Sequence, residues 1–132
     1  MSPGAVSGTL AAYFRFDVSL EEKLQMSIPA APQLPLGFSA SGSTCGIKVS
    51  GKSDLALFVS DRDAAAAGVF TTNKVCGAPV IVCRQRVPST VARAVIINSG
   101  NSNAATGEPG IRDALQMTAS VAEQLGCDAN SI

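Results

Sequence analysis

The chain has 132 residues, 46% of them hydrophobic and 15% charged, with ten Lys plus Arg against ten Asp plus Glu and no histidine. That is one domain or part of one, too apolar and too weakly charged for a disordered segment. A formal net charge of zero, with scattered basic residues and no aromatic interleaving, excludes an electrostatic footprint for nucleic acid or an anionic membrane.

Residues 1–25 differ from the rest. Ser2, Pro3, Gly4, Ser7 and Gly8 give a breaker-rich start, and Ser19 with Glu22 fits a capping box for a short helix over 19–25. Met26 is read as the native start and residues 1–25 as an upstream extension. A native peptide containing Tyr13, seen by mass spectrometry, would sink that reading. No basic n-region precedes an apolar stretch, so a secretory signal is not expected. The most apolar stretch, Ala64–Cys83, is interrupted by Thr71, Thr72, Asn73 and Lys74 and is no membrane span. A cytoplasmic location follows as the expectation.

From Gly37 the pattern is strand-like. Cys45–Val49 and Asp54–Ser60 alternate, and Ser50–Ser53 between them reads as a four-residue hairpin connection. Asp61-Arg62-Asp63 is a polar corner, its two carboxylates making a local network around the arginine. Ala64–Ala67 favours helix locally and Gly68–Thr72 favours strand. Pro79–Cys83 is a third strand, with the proline at its start. Arg93–Asn98 is the clearest strand, and its continuous apolar run predicts burial on both faces. Ser99–Asn103 is a loop of turn-forming residues. A helix begins near Pro109. Its buried stripe is Ile111, Ala114, Leu115, Thr118, Val121, Ala122 and Leu125, and Gly126 closes it at the C-cap. Another apolar run begins near Ile132. Strands followed by a helix give an α/β (α+β) class, a mixed sheet with packed helices.

The chemistry-bearing residues are few. Cys45, Cys76, Cys83 and Cys127 form no CxxC, so they are read as small buried hydrophobes rather than zinc ligands or disulfide partners. A Ser or Cys nucleophile has no histidine base to borrow. Lys48, Lys52 and Lys74 lie near hydroxyl residues but read as solvated. Asp54, Glu108 and Asp113 have no evident partner and read as caps. The joint from Asn98 to Asp113 is the most informative place. A Gly/Asn/Ser loop between a strand and a helix can offer backbone N–H groups to an anion, or can simply seat the helix on the sheet. It is neither a Walker loop nor a GxGxxG turn, since its glycines are Gly100, Gly107 and Gly110.

Four stretches together resemble the ornithine acetyltransferase (glutamate N-acetyltransferase) family. Asn98-Ser99-Gly100-Asn101-Ser102-Asn103-Ala104-Ala105-Thr106-Gly107 is similar to that family's Asn-Ser-Gly-Asn-Ala-Asn-Ala-Cys-Thr-Gly signature. Ala67–Asn73 with Ala78-Pro79-Val80 resembles its second hallmark. Gly37-Phe38, Gly46-Ile47-Lys48 and Asp54–Leu57 resemble its first, and Arg93–Ile97 stands where expected. Ser102 and Ala105 depart from the signature, small for small. The signature-loop residues carried over are Asn98, Ser99, Gly100, Asn101, Asn103, Thr106 and Gly107.

The resemblance implies an N-terminal-nucleophile acetyltransferase fold, incomplete in this chain. It implies transfer of acetyl from N-acetylornithine to glutamate in arginine biosynthesis, with acetyl-CoA a substrate of some members and no cofactor or metal. It implies a precursor that cuts itself before a threonine, whose α-amine then serves as base. The partner is the resulting beta chain, in a heterotetramer of two alpha and two beta chains. The threonine nucleophile and the Thr-Gly oxyanion hole would lie beyond Ile132, so no catalytic residue is assigned within the chain and residues 1–132 alone are expected to be inactive. Ala105-Thr106 belongs to the loop and not to the cleavage motif. A related N-terminal-nucleophile peptidase or amidase, and an inactive structural or binding module, are the alternatives.

Overall fold

The computed structural model describes residues 34–132. The helix expected over 19–25 and the extension read over 1–25 lie outside them. The described chain runs β1 (Phe38–Ser43), β2 (Leu55–Ala66), α1 (Ala78–Arg86), β3 (Ser89–Asn98) and α2 (Gly107–Leu125), ending in a 3₁₀ turn over Ala129–Ser131. The strands form one antiparallel sheet in the order β1-β2-β3. The mixed α/β class read from the sequence holds.

The first hairpin is not the one the alternation suggested. β1 pairs with β2 from Phe38↔Ser60 to Ser43↔Leu55. Cys45–Val49 lies in the connection and forms no strand. The reason is Asp54, which takes the amides of Cys45, Ile47 and Lys48 onto its carboxylate. Amides held this way cannot build a ladder. β2 then runs through the expected corner and the expected Ala64–Ala67 helix, as far as Ala66. Register shifts between Val59 and Ala64 and between Ala64 and Ala66 absorb the irregularity. Arg62 does pair with Asp61, its Nε 2.6 Å from Oδ1, but on exposed strand rather than in a corner. Residues 68–72 form no strand.

Pro79–Cys83 is helical, inside α1, with the proline in the first turn. Proline is tolerated there because its missing N–H would have no intrahelical acceptor. A short apolar run cannot by itself distinguish helix from strand. The burial of Ala78 and Val82 decides it.

α2 begins at Gly107, two residues before the expected start, and Gly126 closes it in the left-handed region at φ 64°. Gly110, Ala114, Thr118, Val121 and Ala122 are buried. Ile111 and Leu125 are half-buried, and Leu115 points outward at 41% exposure. The true stripe is therefore narrower than the sequence suggested. The run near Ile132 is a 3₁₀ turn, capped where Asn130 N donates to Asp128 Oδ1 at 2.7 Å.

The core joins Leu55 and Ala94 of the sheet with Ala78 and Val82 of α1 and Ala114, Val121 and Ala122 of α2. Among the described residues only one sheet face is covered. Cross-strand partners Phe58 and Val95, with Ile97 two residues on, lie on the other face and are exposed. The two-faced burial expected for Arg93–Asn98 is not found.

Candidate functional site: the strand-to-helix joint

β3 ends at Asn98 and the chain turns through residues 99–106 into α2. Three sets of contacts fix this turn, and each begins with a residue singled out from the sequence.

Ser99 N donates to the main-chain oxygen of Asp54 at 2.8 Å, carrying the β2–β3 ladder one residue further. Gly100 follows at φ 102°. A Cβ built there would stand 2.7 Å from Lys48 Cγ and 3.2 Å from Ile47 Cγ2. Only glycine adopts that backbone cheaply, and only glycine leaves room for the 47–48 turn.

That turn is held by Asp54. Its Oδ1 accepts Cys45 N at 2.7 Å, and its Oδ2 accepts Ile47 N at 2.7 Å and Lys48 N at 2.9 Å. Cys45 Sγ also donates to Oδ1, at 3.1 Å. The Cys45 amide, then the Lys48 amide and the thiol, hold the carboxyl well below the usual carboxylate range. Burial, with the Asp54 carboxylate beside it, pushes the Cys45 thiol up. Asp54 is thus a cap, as read from the sequence, but a buried one.

Asn103 makes the third set. Its main-chain oxygen accepts Ala78 N at 3.0 Å, fastening the start of α1. Its Nδ2 donates to Gly110 O at 2.8 Å, fastening the first turns of α2. Its Oδ1 accepts the Thr106 hydroxyl. Asn103 and Thr106 side chains occupy the space a Cβ on Gly110 would need, and Asn103 O lies 2.8 Å from where a Cβ on Gly77 would fall. Ala105 and Gly107 follow at φ 55° and 62°.

The joint opens on a cleft of 380 Å³ between β3 and the two helices. Asn98, Asn101, Ser102, Asn103, Thr106 and Asp113 give it a polar end, and Val82, Ala94, Ile96, Ala114 and Met117 an apolar body. A few convergent polar groups on an apolar wall suit a small amphipathic ligand or a packed side chain. Of the signature residues, Asn98, Asn101, Asn103 and Thr106 meet at the cleft. Ser99 and Gly100 face the Asp54 turn, and Gly107 opens α2.

The other candidates lie apart. Lys48 Nζ donates to the Ser53 carbonyl, not to a hydroxyl. Glu108 sits in the first turn of α2. The four cysteines are unpaired, with Cys83 exposed and the others half-buried, so they are not the buried hydrophobes expected. The organising role of Asp54 and Gly77 was missed. The signal for Asp54 was its place at the foot of a Gly-containing turn, six to nine residues after the amides it binds.

The ArgJ family model matches residues 39–132. The arginine biosynthesis bifunctional protein ArgJ of Rhodopirellula baltica is 42% identical over 99 residues, which are 75% of this chain and 24% of that protein. Its counterpart in Thermosynechococcus vestitus is 54% identical over 91 residues, 68% of this chain and 22% of that protein. A crystal structure of an ornithine acetyltransferase from Mycobacterium tuberculosis, complexed with ornithine, superposes with a TM-score of 0.71 at 44% identity. That likeness covers 74% of this chain and 53% of the solved one. The chain thus spans about a quarter of the length of the curated relatives it matches.

Proposed function

The chain belongs to the ArgJ family, and from that premise we propose that it is the amino-terminal part of an acetyltransferase of arginine biosynthesis. One observation carries the reading. The same residues that share 44% identity with an ornithine-bound ornithine acetyltransferase also share its fold. A likeness in sequence and fold together is more than a fold analogy, which by itself says little about chemistry.

The reaction proposed is transfer of acetyl from the amine of N-acetylornithine to that of glutamate. The acetyl passes through the hydroxyl of an N-terminal threonine freed by self-cleavage, with ornithine leaving before glutamate accepts. Acetyl-CoA is a second donor in this reading and no cofactor is needed. The alpha and beta chains from cleavage assemble as a heterotetramer in the cytoplasm. Among the described residues no helix is long and apolar enough to cross a membrane.

Within this chain the contribution is positional. Asn98, Ser99, Gly100, Asn101, Asn103, Thr106 and Gly107 fix the joint between β3 and α2, and none carries a chemical step. Residues 1–132 by themselves turn over neither substrate. The full product of the encoding gene, given N-acetylornithine alone, releases only a stoichiometric burst of ornithine, and releases it continuously only when glutamate is present to accept the acetyl group. Release at the same rate without glutamate would identify an amide hydrolase and overturn the proposal.

A further inference from the structure

The joint between β3 and α2 holds an unfavourable backbone. Gly100, Ala105 and Gly107 stand at φ 102°, 55° and 62°, three left-handed residues within eight. Ala105 lacks the freedom of a glycine, and such a conformation persists only where its surroundings over-determine it. Backbone of this kind clusters where placement matters to function. Asn98, Asn101, Asn103 and Thr106 of the same stretch meet at the polar end of the cleft. Whatever sets the position of the joint therefore sets the position of these four side chains.

Asp54 gathers the parts on one side of the joint. Its main-chain N donates to Ser43 O at 3.0 Å, at the end of β1, and its main-chain O accepts Ser99 N at 2.8 Å. Its carboxylate takes the amides of Cys45, Ile47 and Lys48 and the Cys45 thiol. The turn so held lies against Gly100, where a Cβ would meet Lys48 Cγ at 2.7 Å, Ile47 Cγ2 at 3.2 Å and Lys48 N at 3.4 Å. Lys48 Nζ donates to the Ser53 carbonyl at 2.8 Å, so the far end of that side chain is tied and its stem forms the wall. A buried charge contributes little net stability compared with apolar packing. What four aimed donors add is direction.

The far side of the joint is tied just as firmly. Asn103 O accepts Ala78 N at the start of α1, and Asn103 Nδ2 donates to Gly110 O in α2. A shift at Gly100 has no slack to absorb it before Asn103. It therefore reaches the polar end of the cleft and the first turns of both helices.

We propose that Asp54 is a positioning residue: through the Ile47–Lys48 turn that its carboxylate holds, it sets where Gly100 seats, and so where Asn98, Asn101, Asn103 and Thr106 stand for the reaction. Asp54 touches no substrate in this account and acts only through the joint. The kinetic part rests on the acetyl-transfer reading, whereas the placement part does not.

The test uses the full product of the encoding gene with Asp54→Asn, Gly100→Ala, Lys48→Ala, and the pair Gly100→Ala with Lys48→Ala. The ornithine burst from N-acetylornithine alone counts competent molecules. Turnover with glutamate is then expressed per burst site, at a temperature where each variant is folded. A residue that only stabilises leaves that turnover unchanged. Asp54→Asn and Gly100→Ala each lower it on the order of tenfold. Lys48→Ala added to Gly100→Ala restores about threefold or more, because the Cγ in the way is gone. The Ala78 amide, bonded to Asn103 across the joint, exchanges about fivefold faster or more in Asp54→Asn and in Gly100→Ala. Unchanged turnover per site, with only the melting temperature lowered, overturns the proposal and leaves Asp54 a structural cap. Additive losses in the Gly100 and Lys48 pair overturn the route through the turn, and that pair decides the matter should Asp54→Asn fail to fold. A wild type with neither burst nor transfer sinks the acetyl-transfer reading separately. Ala78 exchange then decides the placement, and unaltered exchange overturns it.

Discussion

Asp54 is 2% exposed and still charged, because three main-chain amides and a thiol are aimed at its carboxylate. An anion so supplied resists protonation. Its folded value lies below the roughly 3.9 of an unfolded aspartate. The stability it contributes is therefore complete above that pH and is lost as pH falls through the folded value. Asp54→Asn keeps the shape but removes the charge and turns one acceptor into a donor facing an amide. The amides of Cys45, Ile47 and Lys48 then exchange on the order of tenfold faster or more. The melting-temperature gap between wild type and variant stays level from pH 7 to about 4 and closes below. A gap that closes near neutral pH would mean another group is responsible. Gly100 gives a steric counterpart. Gly100→Ala must hold alanine at φ 102° and push Lys48 aside. It costs about 1–3 kcal/mol, measured by denaturant unfolding. The sequence showed that Gly100 sat in a tight turn, because glycine's conformational freedom is local knowledge. It did not show what the turn packs against, because the partner lies fifty residues earlier.

Among the elements, α2 was the most legible and α1 the least, and the reason is length. Nineteen residues give enough turns for a 3.6-residue stripe to stand out. Nine residues with apolar side chains in succession do not, and the burial of Val82 beneath α2 is tertiary information. The buried stripe on α2 is still narrower than its periodicity suggests. Leu115 faces solvent, since periodicity marks a direction and not the extent of the surface that covers it. Val121 is the anchor of this helix, 1% exposed. Val121→Ala removes two methyl groups from a filled site and costs about 2 kcal/mol, while Leu115→Ala changes stability by less than about 0.5 kcal/mol. Equal losses from the two, compared by urea midpoints, would show that α2 packs on a different face. Asn103 binds the elements to one another, because its oxygen and amide reach the first turns of both helices. Asn103→Ala leaves the half-buried Gly110 carbonyl without its side-chain donor, while the exposed Thr106 hydroxyl turns to water. The expected loss is about 1–3 kcal/mol, visible as faster amide exchange in the first turns of α2, while the main-chain bond to Ala78 at the start of α1 is kept.

For the whole molecule, what matters is the surface that this part of the chain leaves open. The sheet buries one face under α1 and α2, and Phe38, Phe58, Val95 and Ile97 remain exposed on the other. The continuous apolar run of β3 signalled that both faces want cover, but a run of residues cannot show what supplies it. Contiguous apolar surface of this kind drives association when it meets water. The sign of a substitution on it therefore depends on context. In residues 1–132, Val95→Thr with Ile97→Thr removes two half-exposed apolar side chains from the open face. Stability changes little, and concentration-dependent association, followed by light scattering, falls. If chain of a family-length protein covers this face, the same pair buries hydroxyls there, each without a partner costing about 1–3 kcal/mol, and the melting temperature drops. A loss of stability in residues 1–132 as large as in the full product would place the cover for this face within the 132 residues themselves.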